Sequence, residues 1–148
     1  MPNFLRRCGS ITKYTLVEPL EEVAIIGVLV AISIPIFTGQ LEKAREATDQ
    51  ANIRSAYAVA SAAALTDEDW KTTSPKTDNT FTNYTYTKAA DNDSTWAITV
   101  KATQTSTTNG TNGWANGKPN IGGKDVDAGT ASYVVTVKAD GACTIESK

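Results

Sequence analysis

A chain of 148 residues, 41% of them hydrophobic, can bury one modest core once an apolar anchor is set aside, which predicts a single globular domain. It contains no histidine, and this excludes Ser-His-Asp and Cys-His catalytic arrangements together with every His-bearing metal site. Three of the 14 basic residues lie before Tyr14, leaving 11 against 16 acidic residues over the rest; a net charge of −5 there offers no electrostatic footprint for nucleic acid.

The first 13 residues carry Arg6, Arg7 and Lys13 and no acidic residue, the composition of a segment that stays on the cytoplasmic side of a membrane. From Val23 to Phe37 the chain is apolar and uncharged, interrupted only by Gly27, Ser33 and Pro35. Its 15 residues exceed a usual buried strand and fall short of the roughly 20 that cross a bilayer as a helix, so length alone leaves a core helix, a signal-peptide core and a shortened anchor open. No small-residue cleavage site follows the run. A helical pattern continues directly instead, which points to an N-terminal anchor that is also an assembly element.

Thr15 and Glu18 have the spacing of a capping box, and Pro19 would then fall in the first turn, where proline is tolerated. Gly27 and Pro35 mark where the helix is weakest; in a single subunit the expectation is still a continuous, gently bent helix. From Gln40 to Leu65 the pattern is amphipathic. Leu41, Ala44, Ala51, Ile53, Ala56, Tyr57, Ala60 and Ala64 form the face expected to cover a sheet, while Glu42, Lys43, Arg45, Glu46, Asp49 and Arg54 are read as solvated. Thr66 and Asp67 mark the stop.

Residues 67–79 are a polar connection with Pro75. Strands are then predicted over Phe81–Thr87 and Thr95–Thr103, separated by a turn at Asp91–Asp93, and over Ser132–Ala139 and Ala142–Glu146 around Asp140-Gly141, the strongest hairpin signal in the chain. The sheet's inner face should include Trp96, Ile98, Val100, Val135, Val137 and Ile145. Between the hairpins, Gln104 to Thr130 is long for a structureless loop, so it is expected to hold a short strand or to pack around Trp114. Asp125 and Asp127 are too few for a calcium site and read as turn residues. No phosphate-cradling glycine loop or Cys-x-x-Cys occurs, and the sequons at Asn83, Asn92 and Asn109 are the chance matches a Thr-rich chain produces. No cofactor, metal or catalytic residue is assigned, and the chain is read as a structural protein and not an enzyme.

Tyr14-Thr15-Leu16-Val17-Glu18, followed in register by Val23-Ala24-Ile25-Ile26-Gly27 and by Ile34-Pro35, resembles the start of mature type IV pilins and the related pseudopilins. The likeness covers Tyr14 to about Ala64. It implies an α+β fold in which a long N-terminal helix packs on a four-stranded, mostly antiparallel sheet. The implied division is a leader-like segment over residues 1–13, a helix over 14–65 with a membrane and assembly half (14–37) and an amphipathic half (38–65), and a head over 66–148. It also implies processing between Lys13 and Tyr14 by a prepilin peptidase, pairing of the Glu18 carboxylate with the free N-terminal amine of a neighbouring subunit, and local extension of the filament helix between Gly27 and Pro35. The implied partners are identical subunits in a helical filament, the cytoplasmic membrane for the precursor, and the pilus assembly machinery. The implied location is an extracellular pilus at the cell surface, where adhesion and motility belong to the whole fibre.

The sequence departs from the family pattern at Lys13, where the family has glycine, and at Pro19, Glu21 and Glu22, where it keeps large apolar residues. Of the two cysteines, Cys8 lies in the leader and Cys143 alone would survive processing, so no intrachain bridge forms. In this the chain looks closer to the major pilins of Gram-positive bacteria. Two further readings remain open: a pseudopilin of a secretion or competence machine, and a membrane-anchored surface binding module that never polymerises.

Overall fold

The computed structural model describes residues 14–67, 81–88, 94–108 and 113–148. The leader-like segment, most of the connection after Asp67, the Asp91–Asp93 turn and the sequons at Asn92 and Asn109 lie outside the described residues. The chain divides into two compact units, Met1–Gly39 and Gln40–Lys148.

One helix, α1 (Tyr14–Thr66), belongs to both units and is unbroken through Gly27, Pro19 and Pro35. It starts one residue before the expected cap, so Thr15 is already helical and cannot be the N-cap, which needs non-helical backbone. Pro19 is accordingly the sixth helical residue, past the first turn where it was expected. The helix ends as the sequence indicates: Asp67 adopts a left-handed conformation (φ 50°), which stops the helical path, and the Thr66 hydroxyl donates back to the carbonyl of Ala62 at 3.0 Å.

Within Gln40–Lys148, strands β1 (Phe81–Lys88), β2 (Ser94–Lys101), β5 (Ser132–Lys138) and β6 (Cys143–Ser147) form one sheet in the order β1-β2-β5-β6. Every pairing is antiparallel, with Trp96 opposite Val137 and Val135 opposite Ile145. The two short strands β3 (Asn120–Ile121) and β4 (Lys124–Asp125) make a separate hairpin. Its turn, Gly122-Gly123, has positive φ at both positions (60° and 76°), the backbone that twists two strands into register and that glycine adopts without strain. The fold is thus α+β, with a long helix packed on a four-stranded antiparallel sheet.

Alternation sets the core. In β2 and β5 every second side chain is buried, so Trp96, Ile98, Val100, Tyr133, Val135 and Val137 share one face. Ile145 is half-buried beside them, and Cys143 joins the same face. The helix contributes Ile53 and the small residues Ala56, Ala60 and Ala63, which let it approach the sheet closely. Full burial of each large side chain here contributes about 1.5–3 kcal/mol.

The stretch between β2 and β5 contains both features expected of it, a short hairpin and a packed tryptophan. Trp114 is fully buried, its indole Nε1 donates to the carbonyl of Val126 at 2.9 Å, and its ring stacks on Tyr133 at 6.2 Å between centroids. Asp125 accepts from the Asn120 amide at 2.8 Å and Asp127 pairs with Lys118, so both carboxylates are used inside the loop.

Candidate membrane and assembly segment

The residues singled out by sequence lie along α1 and do not converge into a pocket. Lys13 is outside the described residues. Tyr14 is the first helical residue, and Glu18, Gly27 and Pro35 follow in the same helix. Nine residues from Glu18 to Gly27 and eight more to Pro35 correspond to rises of roughly 13 and 12 Å. A site built from them must therefore be a surface read by something outside the chain.

That surface is apolar on all sides. Between Leu20 and Phe37, the large hydrophobic side chains of Leu, Val, Ile and Phe are 48–68% exposed. Among the described residues α1 is the one helix long and apolar enough to cross a membrane. Exposure of this kind in water opposes the hydrophobic effect at about 25 cal/mol per Å² of apolar surface, so the segment requires an apolar surrounding.

Local chemistry fits such a surrounding. The Ser33 hydroxyl donates to the Leu29 carbonyl at 2.6 Å and that of Thr38 to the Pro35 carbonyl at 3.0 Å, so neither is an orphan donor in lipid. Pro35 has no N–H, which leaves the carbonyl of Ala31 without its usual helical donor. A Cβ added at Gly27 would meet nothing within 4 Å. Packing among the described residues therefore does not explain the glycine, although it weakens a helix by about 1 kcal/mol relative to alanine. Glu21 and Glu22 are exposed at the N-terminal edge of this stretch.

A second cluster overturns an expectation. Glu42, Glu46 and Asp49, read as solvated, are buried, whereas Leu41, Ala44 and Ala51, read as the packing face, are exposed. The buried stripe runs 42, 46, 49, 53, 56, 60, 63, alternating steps of four and three. Its upper half is acidic and meets mainly backbone amides, joined by the Arg45 guanidinium and two threonine hydroxyls. Glu42 accepts from the amides of Thr105 (2.6 Å) and Ser106 (2.9 Å) and from the Arg45 guanidinium (3.0 Å). Asp49 accepts from the amides of Thr103 (2.8 Å) and Gln104 (3.0 Å) and from the Thr103 hydroxyl (2.6 Å). Glu46 accepts from the amide of Ala115 at 2.7 Å.

Loop amides that would otherwise be buried without partners are thus satisfied by helix carboxylates, an arrangement that removes a penalty of about 1–3 kcal/mol per group. Burial by itself would raise the Glu42 carboxyl, but Arg45 and the amides of Ser106 and Thr105 outweigh it and hold the group below the usual glutamate range. Burial pushes the Tyr133 hydroxyl and the Cys143 thiol up. The heptad-like spacing upstream of Ile53 was the signal available in the sequence for this cluster.

No protein-family model, curated protein or solved structure matches the chain.

Proposed function

We propose that this chain is a structural subunit of the type IV pilin kind, held in the cytoplasmic membrane through the first half of α1 and then packed through the same half among identical copies in an extracellular filament. The observation that carries this reading is the exposure of every large apolar side chain from Leu20 to Phe37 on a helix whose continuation is built into a folded head. A membrane-bound precursor and a filament interior are both apolar surroundings, and the segment suits each in turn. The glycine without an intrachain neighbour at position 27 supports a second helix as the thing it admits. Glu18 would set register by pairing with the amine of Tyr14 in the next subunit, after a peptidase has cut between Lys13 and Tyr14.

The test has two arms. Mass spectrometry of the filament protein should find Tyr14 at the mature N-terminus, and a Glu18→Ala variant should leave cells without fibres in electron micrographs. Intact fibres from that variant would remove the pairing role.

Lys13, at the position before the cut where the family has glycine, favours a second reading, a membrane-anchored surface module that remains unpolymerised. On that reading no fibres form from the unaltered chain, and residues 1–13 are retained. A pseudopilin, by contrast, would form short fibres.

A further inference from the structure

We infer that Glu42, on the buried stripe it shares with Glu46 and Asp49, is a proton-released latch that ties Thr105 and Ser106 to the helix, and that acid opens this tie while the sheet stays folded. The inference stands on the placement of Glu42 against those two residues and is independent of the filament reading.

The helix presents the three carboxylates on one buried stripe. The partners are almost all donors: amides of Thr103, Gln104, Thr105, Ser106 and Ala115, and hydroxyls of Thr103 and Thr105. A carboxylate suits such a ring because it only accepts. A protonated carboxyl carries an O–H of its own, which the N–H groups cannot accept and for which only the threonine hydroxyls offer lone pairs. Protonation of Glu42 therefore replaces charge-assisted bonds with weaker neutral ones at a part-buried site. Glu46 uses one oxygen only: its Oε1 is buried and accepts no hydrogen bond among the described residues.

The charged and titratable groups facing the three are few. Arg45, on the same helix, bonds both Glu42 and the Thr105 hydroxyl. Tyr133, on β5, feels the charges of Asp49 and Glu46. The stretch Thr103–Ser106 brings no charge of its own. Burial pushes the Tyr133 hydroxyl up, so it stays neutral in acid. The sheet is held differently, by a backbone ladder and an apolar face whose titratable members are Tyr133 and Cys143, both neutral in acid. The direction follows from Glu42: its folded carboxyl lies below the ordinary value, so its contribution is complete above about pH 4.3 and is lost as pH falls through that lowered value.

Amide hydrogen exchange of the full chain in detergent micelles, corrected for intrinsic rates, tests this. Between pH 6 and pH 3 the protection of the Thr105 and Ser106 amides should fall about tenfold or more, the loss expected for a charge-assisted bond, while amides of β2 and β5 keep theirs. A Glu42→Gln variant should show reduced protection at Thr105 and Ser106 already at pH 6 and no further loss on acidification. Unchanged protection of those amides at pH 3, a parallel loss across the sheet, or a wild-type pH response in Glu42→Gln would each overturn the latch.

Discussion

The two halves of α1 obey opposite rules although they form one helix. From Leu20 to Phe37 apolar side chains face outward on every side, and from Glu42 to Asp49 acidic side chains face inward. In the first half nothing among the described residues covers the hydrophobic surface. In the second half the charge is buried because unpaired loop amides need an acceptor. The difference teaches that polarity alone does not assign a helix face; what matters is whether the opposing element brings side chains, backbone or nothing.

The sharpest way to test this comparison is to substitute one side chain in the packed head and one in the apolar half of α1. Trp96→Ala, in the packed head, should lower its stability by about 3–5 kcal/mol, read as the unfolding midpoint in denaturant. Leu29→Arg should leave the head intact and abolish membrane partitioning in cell fractionation, at an insertion penalty of about 2.5–3.5 kcal/mol. Asp49→Ala should destabilise the head by about 1–3 kcal/mol, because the amides of Thr103 and Gln104 are left without their acceptor. Acidification from pH 6 to below pH 4 should lower the head's melting temperature in the unaltered chain and lower it less in Glu42→Gln, since the native carboxyl with its depressed pKa is the one that must take up a proton. Leu29→Ala should move the head's melting temperature by no more than the equivalent of about 0.5 kcal/mol, the effect of an exposed substitution.

The fold was largely legible. Period-two alternation located β1, β2, β5 and β6 within about two residues of their ends, and Asp140-Gly141 located the last hairpin. The antiparallel order follows from short connections at two of the three pairings. The acidic stripe was not legible by polarity, because a helical wheel assigns carboxylates to water. Its partners are amides, which every residue of a loop possesses and no letter of the sequence distinguishes. Only the continuation of the four-three spacing from Ile53 back through Asp49 and Glu46 to Glu42 carried the information. The roles proposed for Tyr14 and Glu18 would involve a second subunit, which the geometry of one chain does not display.

At the tip of the β3–β4 hairpin, Gly122 lies so close to α1 that a Cβ there would sit 2.7 Å from the Tyr57 ring and 3.2 Å from the Cys143 sulfur. The hairpin tip thereby roofs the one thiol found among the described residues, a thiol that burial also keeps protonated. Alkylating reagents must wait for that roof to lift. Cys143 is in consequence an inborn stopwatch: its labelling rate times the breathing of the head, and a bulkier residue at position 122 would set it running fast.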